Sequence, residues 1–269
     1  MIKKSSLYII LFVFLFGSCA NEYTKVLKGS DPALKFEWAK KYYEAKKYSR
    51  AISLLEDVAA YYKGTELSSE VLYLIAKSYE GRKDFLSAEV YFSSYVKAFP
   101  RGKYAEECRF MIGYCHYKES PEARLDQSTT QNAIKHLQEF VELYPESERV
   151  NEAYALIMEL NDKLAYKSFL NARLYYNMGN YMGNNYRSSI ITAENTLKKY
   201  PDTKYREDLY MLILRSKYQI AMQSVEAKKA ERFGNTIDEY LNYMSEFPNG
   251  KYVKEAQKIY KTAQTHVKN

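Results

Sequence analysis

The chain has 269 residues, a formal net charge of +7, ten glycines and six prolines. Glycine and proline are too scarce for a loop-rich β-fold, and the basic residues are scattered or paired instead of concentrated, which argues against a nucleic-acid-binding patch. We therefore predict an all-α protein that has no nucleic-acid partner.

Residues 1–18 are predicted to be a signal peptide that is removed. Lys3 and Lys4 make the start of the chain positive, and the apolar run 7–16 follows them. As a helix this run would be about 15 Å long, which is shorter than the ~30 Å hydrocarbon core of a bilayer. It is therefore typical of a cleaved signal and not of a membrane span.

Cys19 is the predicted site of a lipid anchor. Gly17 and Ser18 stand directly before it, an order that resembles the lipobox of bacterial lipoproteins, although Phe16 departs from the usual leucine. In that motif the cysteine thiol receives a diacylglyceryl group, and several acyl chains together hold a protein stably on a membrane. Ala20 in place of aspartate favours the outer membrane, and the absence of a dense acidic run after it favours the periplasmic face.

Residues 19–33 are predicted to be the lipidated N-terminus and a short tether, and a helical period begins at residue 34. From there, small and aromatic residues follow the order and spacing of a tetratricopeptide repeat. Small residues allow paired helices to approach each other, and aromatic residues fill the grooves between hairpins. In the first two repeats the small residues are Ala39, Ala51, Ala76 and Ala88.

A proline turn separates the repeats and occurs four times. The copies at Pro100, Pro201 and Pro248 read Pro-x-(Gly/Thr)-Lys-Tyr, and the copy at Pro145 departs from that pattern. We expect the aromatic residue before each proline to end one helix and the small polar residue after it to cap the next.

These turns predict a right-handed superhelical solenoid of about five tetratricopeptide-like hairpins with a polar capping helix. The loop 118–130 is about eight residues longer than the template turn and is either functional or a tolerated insertion. Residues 148–180 form either one long helix or two abutting ones. The tetratricopeptide-repeat domain covers 34–269, with units at 34–67, 68–101, 102–146, 147–202 and 203–249 and the cap at 250–269.

No catalytic or metal-binding arrangement is recognisable. Nothing in the spacing brings the three histidines together, and there is no Gly-rich phosphate loop or His-Glu-x-x-His motif. Cys108 and Cys115 would lie about 10.5 Å apart along a helix, beyond the ~7 Å limit for a disulfide, so we predict two buried thiols. We predict a protein that is not an enzyme and has no cofactor and no metal.

The predicted binding surface is the concave side of the solenoid, which the first helices of the hairpins line. Aromatic residues there would contact an extended peptide or a partner loop. The alternative for each tyrosine is packing between repeats. The residues predicted on this surface are Trp38, Tyr42, Tyr73 and Tyr79.

The lipobox, the tether, the enlarged third-unit loop, the long fourth-unit helix and the turn Tyr200-Pro201-Asp202-Thr203 together resemble the BamD family of lipoproteins of the outer-membrane β-barrel assembly machine. The resemblance spans nearly the whole chain after Cys19. It implies a scaffold that docks on a BamA-like barrel-inserting subunit through its C-terminal repeats and receives unfolded outer-membrane proteins on its N-terminal ones. The rival interpretation is a periplasmic or surface-exposed tetratricopeptide binding lipoprotein. It would be either a SusD-like glycan-binding protein, from a family that is usually much longer, or an adaptor of another envelope complex.

Substituting Cys19 tests the lipid anchor. We expect Cys19→Ala to lose the acyl chains and, since no other anchor is predicted, to leave the outer-membrane fraction. Mass spectrometry of the N-terminal peptide and membrane fractionation measure both effects, with Cys108→Ala as a control that keeps the anchor. A Cys19→Ala protein that still fractionates with outer membranes by itself would contradict the prediction.

Overall fold

The computed structural model describes residues 22–267, so the predicted signal peptide and Cys19 lie outside the described residues. Within 22–267 the regular structure is entirely helical, with no strand, which confirms the predicted all-α class. Residues 22–28 are also helical. The helices that follow are α1 (Pro32–Glu44), α2 (Tyr48–Ala59), α3 (Leu67–Gly81), α4 (Phe85–Ala98), α5 (Ala105–Lys118), α6 (Ser128–Leu143), α7 (Val150–Met178), α8 (Asn185–Lys199), α9 (Arg206–Met222), α10 (Glu226–Glu246) and α11 (Val253–Val267).

These helices pair into five hairpins followed by α11, and they belong to two compact units. The first unit contains the described residues up to Ser120 together with Ser128–Ile157, and the second contains Pro121–Gln127 and the described residues from Met158 onward. Within each unit helices pack chiefly on their neighbours in the chain, as α2 does on α3 and α10 on α11. This nearest-neighbour packing is how tetratricopeptide hairpins share a core.

Small residues mark the places where the paired helices of the first unit come together. The four predicted alanines at 39, 51, 76 and 88 have no exposed surface. In the third hairpin Gly113 takes this role, because a Cβ atom there would lie 2.8 Å from Cγ of Leu137 and 3.1 Å from its backbone nitrogen. The small side chains therefore allow α5 and α6 to approach each other closely.

The first two hairpins use the same turn. Lys46 and Lys83 both adopt left-handed backbone conformations, with φ angles of 57° and 62°. In each turn the next residue donates its amide to a carbonyl five positions earlier, Lys47 to Tyr42 at 2.8 Å and Asp84 to Tyr79 at 3.0 Å. The repetition seen in the sequence is thus a repetition of backbone geometry.

Two of the four proline turns are built around a buried tyrosine and a glycine. A Cβ atom on Gly102 would lie 2.5 Å from the hydroxyl of Tyr95, and one on Gly250 would lie 2.8 Å from the hydroxyl of Tyr243. The hydroxyl of Tyr95 also accepts a hydrogen bond from the amide of Tyr104 at 3.1 Å. Glycine is required here because the tyrosine ring fills the space under the turn.

The other two turns lack both the tyrosine and the glycine, and a residue with a hydroxyl group stands in place of the glycine. Thr196 and Thr203 stand where the first turn has tyrosine and glycine, and Phe140 and Ser147 stand there in the turn at 144–149. The hydroxyl of Thr203 donates to Asp162 at 2.7 Å. The two turns without tyrosine at the earlier position therefore have a hydroxyl residue and not glycine at the later one.

The proline turns end helices as predicted but do not begin them as predicted. Phe99, Tyr200 and Phe247 occupy the C-cap positions, which confirms the prediction for the aromatic residues. The N-cap positions of α5 and α9 are held by Tyr104 and Tyr205, and neither side chain caps the helix. For these two helices the prediction of a small polar cap was wrong, because the chain needs two more residues to turn after the small one.

Helix α7 answers the open question about 148–180, because it is one continuous helix of 29 residues. It ends at Gly179, which adopts a left-handed conformation with φ 56°. Glycine takes this conformation without strain and is the usual residue just beyond a helix C-terminus.

Part of the predicted tether is packed against the fold. Tyr23, Val26 and Leu27 lie in the helical segment 22–28 and join the hydrophobic cluster of the first unit, in which Val26 is buried. The hydrophobic packing of the first unit therefore includes residues before 34.

Both described cysteines are buried free thiols, which confirms the prediction made from their spacing. Burial raises the pKa of Cys108 and of Cys115 to about 12. Both therefore remain protonated at neutral pH and are poor nucleophiles.

A pair of glycine substitutions tests the close approach of α5 and α6. We expect Gly113→Ala to destabilise the protein by about 1–3 kcal/mol, because the new methyl group clashes with Leu137. Gly234→Ala is the matched control: it also lies inside a helix, but its Cβ would meet no atom within 4 Å, so alanine should stabilise by about 0.5–1 kcal/mol. Urea unfolding measures both changes, and a neutral Gly113→Ala would contradict the packing argument.

Candidate partner-binding surfaces

Two of the predicted surface residues, Trp38 and Tyr42, lie together on α1. Their rings are 5.7 Å apart, and Tyr42 also meets the ring of Tyr23 edge-on at 5.6 Å. The guanidinium of Arg50 lies over the rings of Tyr23 and Tyr42, at 5.1 and 5.5 Å. Tyr42 is buried in this contact, whereas Trp38 is partly exposed.

Tyr73 belongs to a second group, formed by α3 and the start of α5. Its ring stacks on Tyr104 at 3.9 Å, and its hydroxyl donates to Glu107 at 2.7 Å. Lys77 bonds to Glu80 at 2.7 Å and to Glu107 at 3.2 Å. Burial and the bond to Glu107 raise the pKa of Tyr73, so this hydroxyl stays neutral and donates.

Tyr79 belongs to a third group that links three helices. It stacks on Tyr91 of α4 at 5.4 Å, and both hydroxyls donate to the same oxygen of Glu56 on α2, at 2.8 and 2.9 Å. Burial and the bond to Glu56 raise the pKa of Tyr79 and of Tyr91 to about 12. These tyrosines therefore hold neighbouring helices together.

The structure thus brings Trp38 and Tyr42 together and places Tyr73 and Tyr79 in separate groups. Partner binding by these residues stays a prediction. Each group consists of rings that pack across helices, and each of the last two also has a carboxylate that accepts a tyrosine hydroxyl.

His116 and His136 come together although nothing in their spacing indicated it. They lie on the two helices of one hairpin, and their rings stack at 5.3 Å. Burial lowers the pKa of His116, Glu89 opposes this effect and His136 adds to it. Aligning α5 with α6 as the two antiparallel helices of one hairpin could have predicted this pair from the sequence. Within residues 22–267 no group of three or more acidic, histidine or cysteine residues is placed to hold a metal.

The second unit has a groove that sequence reasoning missed. It has a volume of about 280 Å³ and lies between α7, α9 and α11. Arg215 makes two hydrogen bonds to Glu255 across it, at 2.7 and 2.6 Å. These bonds hold the pKa of Glu255 below its usual value, so the carboxylate remains charged. Other lining residues are Tyr176, Tyr218, Gln219, Lys258, Ile259 and Thr262.

A larger groove of about 570 Å³ lies on another side of the second unit, among α8, α9 and α10. It carries charges of both signs, including Arg187, Glu194, Glu231 and Arg232. Arg232 donates to Ser224 at 2.7 Å. Both grooves are lined by charged side chains of both signs, an arrangement that suits binding of a polar partner.

Comparison with known families identifies the kind of protein. Residues 30–192 match the family model YfiO, which is described as an outer membrane lipoprotein, and they make up more than half of the chain. The chain belongs to this family. The match covers α1 to the middle of α8, so the groove around Arg215 lies mostly outside it.

Two curated relatives of this YfiO-family lipoprotein are named outer membrane protein assembly factor BamD. The one from Helicobacter pylori is 26% identical over 152 residues, which cover 54% of this chain and 66% of the relative. The one from Caulobacter vibrioides is 24% identical over 113 residues, which cover 42% and 37%. The matches therefore span just under two thirds and just over one third of the relatives' own lengths.

Among solved structures, the complex of the TPR2AB domain of yeast Sti1 with pHSP90 covers 87% of this chain and 98% of its own chain. Its identity is 14% and its TM-score is 0.41, which is too low to support any inference about this lipoprotein. Within residues 22–267, none of the helices is both long enough and apolar enough to cross a bilayer.

The Glu56 group makes a measurable prediction about pH. Because the folded-state pKa values of Tyr79 and Tyr91 are raised from 10.0 to about 12, their contribution to stability is present below pH 10 and is lost as the pH rises through 12. We expect Glu56→Gln, which keeps an acceptor oxygen but removes the charge, to shift both titrations back toward 10. Ultraviolet titration of tyrosinate measures this.

The double variant Tyr79→Phe/Tyr91→Phe serves as the assignment control, because it should remove two ionising groups from the titration near pH 12. An unchanged titration in Glu56→Gln would show that the carboxylate does not set these pKa values.

Proposed function

We propose that this outer membrane lipoprotein is a non-enzymatic scaffold in the assembly of outer-membrane β-barrel proteins. The observation that carries the proposal is the family match over residues 30–192, together with two relatives named as assembly factors. A chain of helical hairpins with aromatic surfaces and polar grooves suits a scaffold, since such repeats offer extended binding faces.

The proposed location is the periplasmic face of the outer membrane. Cys19 carries the lipid anchor, and the part of the chain that the structure describes begins shortly after it, at residue 22. An anchor of several acyl chains keeps the domain at the membrane without a spanning helix. This position places the domain where barrel precursors arrive and where a membrane-embedded partner presents its soluble part.

The proposed docking site for a BamA-like barrel-inserting subunit is the groove around Arg215. Two hydrogen bonds between Arg215 and Glu255 fix the positions of these charged side chains. Lys258 is exposed at the rim of the groove. A preorganised charged groove binds with little loss of side-chain freedom. The opposite charges favour a partner segment that carries both an acidic and a basic residue.

The first unit is the proposed receiver of unfolded outer-membrane proteins. Trp38, Tyr73 and Tyr79 present aromatic rings at or near its surface, and all three are only partly buried. Aromatic rings tolerate the amide groups of an extended chain, and such contacts depend little on sequence. A receiver of many different precursors needs that tolerance.

Affinity purification of the detergent-solubilised protein tests the assembly role. We expect the barrel-inserting subunit to be recovered with it. Recovery of glycan-transport components without that subunit would refute the assembly role and favour a glycan-binding lipoprotein.

A charge reversal tests the docking site separately. We expect Lys258→Glu to weaken recovery of the barrel-inserting subunit by roughly tenfold, which corresponds to about 1.4 kcal/mol, because it places like charge beside Glu255 in the groove. Lys261→Glu is the matched control, since Lys261 is exposed on the same helix but does not line the groove. Equal recovery with both variants would refute docking at this groove while leaving the assembly role intact.

A further inference from the structure

The tips of the fourth and fifth hairpins expose an unusual concentration of apolar side chains. Nineteen large apolar residues are exposed within 22–267, and seven of them lie in the short segments 174–182 and 222–225. Met182 is 90% exposed, Val225 72% and Tyr181 67%. We call these seven residues the hairpin-tip patch: Leu174, Tyr175, Met178, Tyr181, Met182, Met222 and Val225.

The two tips contact each other through hydrogen bonds. Asn180 in the first tip donates a side-chain hydrogen bond to Gln223 in the second, and the side-chain nitrogen of Gln223 lies 3.5 Å from the hydroxyl of Tyr186. The backbone between α7 and α8 is also held in place, because the side chain of Asn185 donates to the carbonyl of Tyr181 at 2.7 Å. The patch is therefore a defined projection of the second unit.

The fold does not require apolar residues at this place. Met182 has a φ angle of 54°, a left-handed conformation that favours glycine or asparagine, and its side chain faces water. Both the backbone and solvation thus disfavour methionine there. The other hairpins show that charged tips suit this fold: Lys46 and Lys47 stand in the first, Arg82, Lys83 and Asp84 in the second, and the third loop, 119–127, has four charged residues.

Along the chain, acidic residues are scarce around the patch. No aspartate or glutamate occurs from 163 to 193 or from 218 to 225, although the chain has 33 of them, and the exposed Glu226, which follows Val225 directly, is paired with Lys229 at 2.9 Å. Arg173 precedes Leu174 directly, Arg187 follows the tip within the first turn of α8, and both are exposed. An apolar projection bounded by arginines complements a surface that is apolar inside and negative outside.

We propose that the hairpin-tip patch inserts into an anionic lipid surface and gives this lipoprotein a second membrane contact, which adds to the lipid anchor and does not by itself hold the protein on the membrane. Tyrosine, methionine and leucine at a projecting tip bury apolar surface at the level of the headgroups, and neighbouring arginines attract anionic lipid. A membrane needs no cavity of matching shape, which suits a projection better than a groove. Membership of an outer membrane lipoprotein family places such a surface within reach.

A fluorescent label at position 182 tests the contact in the full-length lipoprotein. Met182→Cys can be labelled selectively, because Cys108 and Cys115 are buried with pKa values of about 12. The labelled protein is reconstituted through its anchor into vesicles that contain a lipid with a quencher near the headgroup. Leu86→Cys, at a site 68% exposed in the first unit, is the matched control.

We expect severalfold stronger quenching and a blue-shifted emission at position 182 compared with position 86, and more so with anionic than with zwitterionic lipid. The variant Arg173→Gln/Arg187→Gln should remove the difference between the two lipids. Equal, weak quenching at both positions would overturn the proposal. A label at 182 that lipid does not quench, but that the soluble domains of the barrel-inserting subunit shield, would also overturn it in favour of a protein partner.

A disrupting variant guards against an effect of the label itself. The label is moved to Val225→Cys, and Tyr181→Ser and Met182→Gly are introduced together. Glycine suits the positive φ at 182, so we expect the unfolding midpoint to be kept or raised while quenching at 225 falls severalfold. Unchanged quenching at 225 would show that the patch does not mediate the contact.

Discussion

Each repeat depends on how one side chain fills the space beneath a proline turn. Tyr95 occupies that space in the first turn, and only glycine at 102 leaves room for its hydroxyl. Where the upstream residue is Thr196, a threonine at 203 fits and its hydroxyl bonds to Asp162 instead. In the turns that contain Gly102 and Gly250, this close contact limits the second residue after the proline to glycine where one hairpin ends and the next begins.

Because the repeat constrains only its buried positions, its surfaces are free to differ. The tips of the first two hairpins carry lysine, arginine and aspartate, whereas Met182 and Val225 project from the tips of the fourth and fifth. The same freedom gives the second unit a charged groove around Arg215. The proposed partner and membrane contacts therefore lie on surfaces that the repeats do not share.

Tyrosine has two physical roles in this fold. Its ring packs between helices, as Tyr73 does on Tyr104, and its hydroxyl reaches a carboxylate on another element, as in the bonds of Tyr73 to Glu107 and of Tyr243 to Glu207. A buried hydroxyl without a partner would be costly, so each such tyrosine needs an acceptor within reach. Carboxylates such as Glu107 and Glu207 thereby act as acceptors for tyrosines on other helices.

The sequence by itself determined the helical class, the small residues at the helix contacts and the position of every proline turn, because these follow from local spacing and the size of single side chains. It also predicted the free thiols of Cys108 and Cys115 from the rise of a helix. Tertiary structure alone decided that 150–178 is one helix, that His116 stacks on His136, and that Trp38, Tyr73 and Tyr79 belong to different contact groups. Those outcomes depend on how each helix packs against its neighbours. Many side chains together determine this packing, and no single spacing in the sequence encodes it.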